Sequence, residues 1–324
     1  MIATTSRKID VSTGLRPFDP RRDFRSVVEL IDIAFGDKLT PTAQASLAEM
    51  RHLARWGPLL WWLYWPRWFG VMAMSGFVWV EEGRVVGNVS LRRSSGANAF
   101  IGNVAVHPDW RGRGIASQLM KAALDEPNAR RGHWIGLEVR ADNLAARQLY
   151  EQLGFQEIGR TVCMLRPAGL PIGNLPVHPL LRRGRRRDST ALIHLMHAIV
   201  PEPHRQLLEL SDVDYQLGWQ RVLDCWFDGR REFWWVFEEK ESLCGAVRAL
   251  QERGRRPNRL EILIAPEHSG HLEDVLVRRG VTSLCSVSDK MIEVVLLPSS
   301  NLLLEALEEM GFQRACVLIQ MRQL

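Results

Sequence analysis

The sequence predicts an α/β protein built as two tandem copies of one unit. Three observations carry that expectation: self-similarity at a nearly constant offset, short apolar strands alternating with amphipathic helices, and two helices that close on Gly-Phe. Shifted by 158 positions, Gly76–Leu91 (GFVWVEEGRVVGNVSL) falls on Trp234–Ala249 (WWVFEEKESLCGAVRA), with Gly87 on Gly245. Each reads as two apolar strands joined by a charged turn. At the same shift Val104–Pro108 falls on Ile262–Pro266, and at 157 Ile135–Phe155 falls on Ile292–Phe312. The N-terminal helices match more loosely, Asp23–Phe35 against Asp188–Val200. Coincidences in one order at nearly one offset mark an internal repeat. The copies span 1–170 and 178–324, joined by the Pro- and Gly-bearing run Pro167–Pro179. The basic run that follows, Arg182–Arg187 (RRGRRR), reads as a solvated segment at a domain boundary rather than as an anion or nucleic-acid patch.

Within the first copy a strand near Leu15–Phe18 leads to a helix from about Asp23, whose apolar stripe is Val27, Val28, Leu30, Ile31 and Ala34. A second helix is expected over Pro41–Arg55. Strands follow at Phe77–Glu81, Val85–Leu91 and Phe100–Val106. A helix opens at the glycine-rich turn after Arg111 and runs to Asp125, where Pro127 must end or bend it, because proline has no N–H for the helix ladder. Strand Trp134–Val139, helix Leu144–Leu153 and a last strand over Glu157–Leu165 complete the copy, with Gly154 at the position of a helix C-cap glycine.

The chain has 324 residues, enough for two domains with cores of their own. Its net charge of +5 suits an anionic cofactor, but no basic stripe with interleaved aromatics suggests nucleic acid. The five cysteines are dispersed without a CxxC pair, which argues for a reducing compartment and against a disulfide framework or a metal site. With no apolar leader before a cleavage site, the expected location is the cytoplasm.

The sharpest chemistry lies in Val104-Ala-Val-His-Pro-Asp-Trp-Arg-Gly-Arg-Gly-Ile-Ala116. A strand ends at His107-Pro108, a turn follows and a helix begins. Two glycines one residue apart let backbone N–H groups converge at a helix N-terminus, where the macrodipole favours negative charge. Arg111 and Arg113 add charge for a diphosphate. The run is neither a Walker A loop nor a dinucleotide fingerprint: it lacks Gly-Lys-Ser/Thr, and Ser117 stands where a third glycine would fall.

Arg111-Gly-Arg-Gly-Ile-Ala116 resembles the R/Q-x-x-G-x-G/A element of the GNAT acetyltransferase superfamily. Downstream, Leu137–Phe155 (LEVRADNLAARQLYEQLGF) resembles the family's L-E-V-R-x-x-N-x-x-A-x-x-L-Y-x-x-x-G-F signature, in the form typical of the ribosomal-protein alanine N-acetyltransferase branch. The resemblance implies two tandem GNAT-like sheets, mixed and mostly antiparallel, flanked by helices. It implies acetyl-CoA as cosubstrate and a primary amine as acceptor, on a peptide N-terminus, an amino acid or a small molecule. Backbone groups of Val104, Ala105 and Val106 would bind the pantetheine arm as an added strand. Arg111, Gly112, Arg113, Gly114, Ile115 and Ala116 would hold the pyrophosphate, and Asn143 would contact the arm from the other side.

Acetyl transfer needs a base for the ammonium and an acid for the departing thiolate. By resemblance the acid is Tyr150. Glu138, in an otherwise apolar strand, is the candidate base, since burial raises a carboxyl pKa toward a working value; a water relay is its rival. His107 is the weaker candidate, as a residue of the strand-end turn. In the second copy Ser269–Asp274 (SGHLED) falls on Arg111–Ala116: both arginines are gone, Leu272 replaces the second glycine, and Glu273 and Asp274 set carboxylates where a pyrophosphate would rest. Leu307 falls on Tyr150. This half is expected to bind no acetyl-CoA and to wall part of the acceptor cleft.

The run Trp56–Val80 (WGPLLWWLYWPRWFGVMAMSGFVWV) is too interrupted for a transmembrane helix. It is expected to form core plus an apolar wall of the acceptor pocket or an oligomer contact, with peripheral membrane association less favoured. The alternative function is an acetyl-CoA-binding sensor or partner-binding protein without catalysis.

Overall fold

The structure, a computed structural model, describes residues 13–56, 75–93, 98–126, 134–172, 178–240, 242–297 and 301–323. The Trp-rich stretch 57–74, on which the expectation of an apolar acceptor wall rests, lies outside the described residues. By contact density the chain forms two compact units. One comprises Met1–Leu39, Ser46–Leu137 and Gln323–Leu324; the other comprises Thr40–Ala45 and Glu138–Arg322.

In the first unit strand β1 (Gly14–Pro17) leads into helix α1 (Pro20–Phe35). The helix starts earlier than the apolar stripe suggests, because the Asp19 side chain accepts from the Arg21 N–H and Pro20 fits the first turn. Helix α2 (Pro41–Trp56) begins among the residues of the second unit and ends in the first. Strands β2 (Ser75–Glu81), β3 (Arg84–Arg93) and β4 (Ala99–Val106) pair antiparallel in the order β1-β2-β3-β4, and β4 pairs parallel with the start of β5 (Ile135–Arg140). Helix α3 (Ile115–Asp125) lies on β3. It comes so close that a Cβ on Gly87 would stand 2.9 Å from both Ile115 Cγ2 and Leu119 Cδ1. Val27, Val28, Ile31, Leu47, Val78 and Val80 form the core under α1 and α2.

The second unit holds helix α4 (Leu144–Gln152), strand β6 (Gln156–Arg166) and most of the second copy. Strand β7 (Leu181–Arg183) is followed by helices α5 (Ser189–Ile199), α6 (Glu202–Leu207) and α7 (Trp219–Asp228). Strands β8 (Arg231–Glu239), β9 (Ser242–Gln251) and β10 (Asn258–Ile264) precede helix α8 (Glu273–Cys285). Strand β11 (Ile292–Leu296), helix α9 (Asn301–Glu309) and strand β12 (Gln313–Gln323) end the chain. The strand order is β12-β6-β11-β10-β9-β8-β7, antiparallel except for β10–β11. The last strand of the first copy is thus inserted between the last two strands of the second. Val162 faces Leu296 on one side and Val317 on the other. This insertion is why the compact units do not follow the sequence copies.

The repeat has a physical reason at two points. Gly245, the counterpart of Gly87, takes α8 as closely as Gly87 takes α3: a Cβ there would lie 2.9 Å from Leu276 Cδ1. Each copy also ties its first strand to its first helix by a forked ion pair. Arg16 Nη1 and Nη2 donate to the 1 %-exposed Asp23 at 2.6 and 2.7 Å. Arg182 does the same to the buried Asp188 at 2.8 and 2.9 Å. The run Arg182–Arg187 is therefore not a solvated boundary segment throughout. Arg182 and Arg183 belong to β7, Arg182 also bonds Glu238, and the Arg183 guanidinium stacks 4.4 Å from the Trp235 ring centroid.

The Arg182 hydrogen bonds hold the Asp188 carboxyl below its ordinary value. Its stabilising contribution is present above the ordinary carboxyl range and lost as pH falls through the depressed folded value. Asp188→Ala should cost about 2 kcal/mol, since the Arg185 N–H and the Arg182 fork lose their acceptor. Urea unfolding at pH 7 measures this, and the deficit should shrink in acid.

Candidate active site

In the first unit β4 ends in a single 3₁₀ turn, Pro108–Trp110, followed by Arg111–Gly114 and the start of α3. Gly112 has φ 76° and Gly114 has φ 74°, in the left-handed region that glycine occupies without a Cβ penalty. A Cβ at either would meet nothing within 4 Å, so the backbone conformation, not the space, requires glycine here. Gly114 is the N-cap of α3 and offers no side chain to its first turn. The N–H groups that open a helix need acceptors from outside it. Among the described residues no side chain accepts from those of Gly112–Ala116. Arg111 is held by two carbonyls: Nε donates to Val106 O and Nη2 to Ala34 O, the latter near the end of α1, both at 3.2 Å. Arg113 Nη2 reaches Asp109 O at 3.3 Å.

Beside this loop, β4 pairs with β5 only over Ala99–Ile101. Among the described residues of the unit, Gly102–Val106 has a strand neighbour only on the β3 side. That pairing is interrupted between Asn88 and Ser90, opposite Asn103, which has φ 51°. The buried Asn88 fastens the irregularity by donating from Nδ2 to Asn103 O at 3.0 Å. No sequence signal singled out Asn88; an asparagine in an apolar strand was the available hint. Val104 and Val106 are half-buried and Ala105 is buried. His107 Nδ1 accepts from the Asp109 N–H, so it serves as a turn residue.

In the second unit Glu138 projects into a cleft. It keeps solvent access, yet protein surrounds most of it, and this desolvation raises its carboxyl pKa; the hydrogen bond from Gln320 Nε2, at 3.2 Å, acts in the opposite direction. Gln320 is fully buried and comes from the last strand of the second copy, so no local pattern could pair it with Glu138. Asn143 caps α4, accepting from the Ala146 N–H at 3.3 Å. Tyr150 is 6 % exposed, and burial pushes its phenol up to about 12. It is therefore protonated throughout the physiological range.

The corresponding loop of the second copy is already filled. Gly270 keeps a positive φ, but Leu272 is right-handed. The Glu273 carboxylate accepts from Gly270 N at 2.8 and 3.0 Å, from Leu272 N at 3.1 Å and from Ser269 Oγ at 3.1 Å. Of the two acids in this loop only Glu273 takes the anion's place; Asp274 pairs with Arg278 along the helix.

Residues 42–155 match the Acetyltransferase (GNAT) family. The chain is 46% identical over 59 residues to the [Ribosomal protein bS18]-alanine N-acetyltransferase of Salmonella typhimurium, covering 18% of this chain and 40% of that protein. It is 36% identical over 83 residues to N-alpha-acetyltransferase 30 of Schizosaccharomyces pombe, covering 24% and 55%. The chain thus spans about half the length of the curated relatives it matches. The fold is shared over nearly the whole chain with a tandem GNAT protein from the clavulanic acid biosynthesis pathway, at 15% identity and TM-score 0.60, covering 95% of this chain and 97% of that one.

Two variants test the loop. Gly114→Leu forces a side chain into left-handed backbone and should abolish acetyl-CoA binding by calorimetry, with the far-ultraviolet circular dichroism unchanged. Asn88→Leu removes the donor that fastens the irregularity in β4 and should weaken acetyl-CoA binding about tenfold, or 1.4 kcal/mol.

Proposed function

We propose that the chain is an N-acetyltransferase that moves the acetyl group of acetyl-CoA to a primary amine. The observation that carries this reading is the loop Arg111–Ala116. It offers backbone donors, two left-handed glycines and two arginines at a helix start, next to a strand edge without a partner among the described residues of its unit. In this reading the loop holds the pyrophosphate. The N–H and C=O groups of Val104–Val106 take the pantetheine amides as an added strand. Asn143 contacts the arm from the other side, and the copy at 1–170 carries the catalysis while 178–324 has no acetyl-CoA site of its own. The chemistry is direct attack. Glu138 removes a proton from the acceptor ammonium, the amine nitrogen bonds to the thioester carbonyl carbon, and the C–S bond breaks. Tyr150 gives its phenolic proton to the departing sulfur, and the second proton that the nitrogen loses as the amide forms restores the phenol. The names of the relatives support an amine on a peptide N-terminus as the acceptor class. The five free thiols support a reducing compartment as the setting. Among the described residues, no helix is long and apolar enough to cross a membrane.

Thiol release from acetyl-CoA, measured with a panel of amines and followed by mass spectrometry of the product, tests this function. Tyr150→Phe and Glu138→Gln should each lower kcat about 10²-fold or more. For the wild type kcat/KM should fall as pH is lowered through the raised Glu138 value, because the base works only as carboxylate, and Glu138→Gln should erase that limb. Tight acetyl-CoA binding without turnover on any amine would instead identify a sensor.

A further inference from the structure

The second unit contains a cleft of about 790 Å³ between one face of its sheet and the segments α5–α7. Its floor runs from Glu138 on β5 past Leu318 on β12, Thr161 on β6 and Glu293 on β11 to Glu261 on β10 and Arg248 on β9. At 4.7–4.9 Å per strand, those five steps span about 24 Å, the length of about seven extended residues.

The lining is acidic, with eight carboxylates against four arginines. Three of the arginines are shared: Arg221 and Arg248 both bind Glu232 and Arg230 binds Glu252, acids outside the lining, while each also reaches one lining acid, Asp214, Glu261 and Asp228 in turn. Glu293 is 5 % exposed and, among the described residues, accepts only from the Thr42 hydroxyl and the Cys163 thiol. Arg259, its register neighbour on β10, makes no ion pair with it among the described residues. A buried carboxylate without a cation is under-compensated.

Two further observations point to a ligand. The Thr161 hydroxyl lines the cleft, is 1 % exposed and has no hydrogen-bond partner among the described residues. Helix α7 is turned inside out. Its charged residues Arg221, Asp224 and Asp228 line the cleft while Trp219, Val222 and Trp226 stand 65–71 % exposed. An amphipathic helix ordinarily buries its apolar stripe; here the carboxylates are directed at the cleft instead.

We propose that this cleft binds the acceptor as the extended N-terminal segment of a basic polypeptide. Its amine lies at Glu138, and its lysine or arginine side chains some four to seven residues further on face Glu293, Glu261 and the α7 aspartates. The position of the amine rests on the reading of Glu138 as the base; the charge preference of the cleft does not. The Thr161 hydroxyl accepts a hydrogen bond from the bound backbone.

The test is fluorescence anisotropy on the full chain, with two heptapeptides labelled at the C-terminus that share Ala-Gly-Gly-Gly and end in Lys-Arg-Lys or Glu-Asp-Glu. Without acetyl-CoA, the basic peptide should bind at least about tenfold more tightly and weaken steeply with added salt. Asp224→Asn/Asp228→Asn, both at exposed positions, should shrink the preference about tenfold while the melting temperature stays unchanged. Equal binding of the two peptides, or a preference untouched by the double substitution, overturns the proposal. Displacement by spermidine at lower concentration than by the unlabelled basic peptide overturns it in favour of a small polycation. Turnover of the basic peptide by Glu138→Gln at the wild-type rate refutes the base assignment alone, since the binding measurement reads the cleft without any chemistry.

Discussion

A helix that begins in the open has backbone N–H groups that must find an acceptor, and the two copies in this chain answer that constraint in opposite ways. In the first, Gly112 and Gly114 turn the backbone left-handed, and the donors of Gly112–Ala116 meet no side chain among the described residues. In the second, Leu272 is right-handed and the Glu273 carboxylate accepts from Gly270 and Leu272. The helix beyond is held alike in both, pressed onto a glycine of the neighbouring strand. Packing has kept the shape of the unit in each copy, while the two loops differ at five of six positions, among them Leu272 for Gly114 and Glu273 for Ile115.

The second copy contributes more than bulk. Strand β12 brings the buried Gln320 to the Glu138 carboxylate, and β6 of the first copy is held between β11 and β12. The second unit therefore depends on both copies of the sequence. A strand with neighbours on both sides has its register fixed by both, since a slip of one residue would turn Val162 and Met164 out of the places they fill. The same sheet face places Glu138, Thr161, Glu293 and Glu261 along one cleft, so the second copy supplies most of that cleft's charge.

Much of this was legible in the sequence because it is written in local patterns. Strand and helix spans over 15–165 lie within a few residues of their expected limits, and the offset of about 158 leads from β2 and β3 to β8 and β9. The signature around Arg111–Ala116 marked a loop in which Gly112 and Gly114 are left-handed at the start of a helix. What stayed hidden depends on residues far apart in the chain. The insertion of β6 brings together residues separated by more than 120 positions, and an apolar strand reads the same whichever neighbour it takes. The fork from Arg182 to Asp188 was masked by composition, since an arginine run resembles a solvated segment until one member meets a buried acid. Asn88 and Gln320 act through side-chain hydrogen bonds that no spacing announces.

The account stands on one open loop and one filled loop, so the stoichiometry of acetyl-CoA binding tests it most directly. Calorimetric titration of the full chain should give one molecule bound per chain. A value of two, or a value of one that persists after the Arg111–Ala116 loop is replaced by the sequence of Ser269–Asp274, would contradict it.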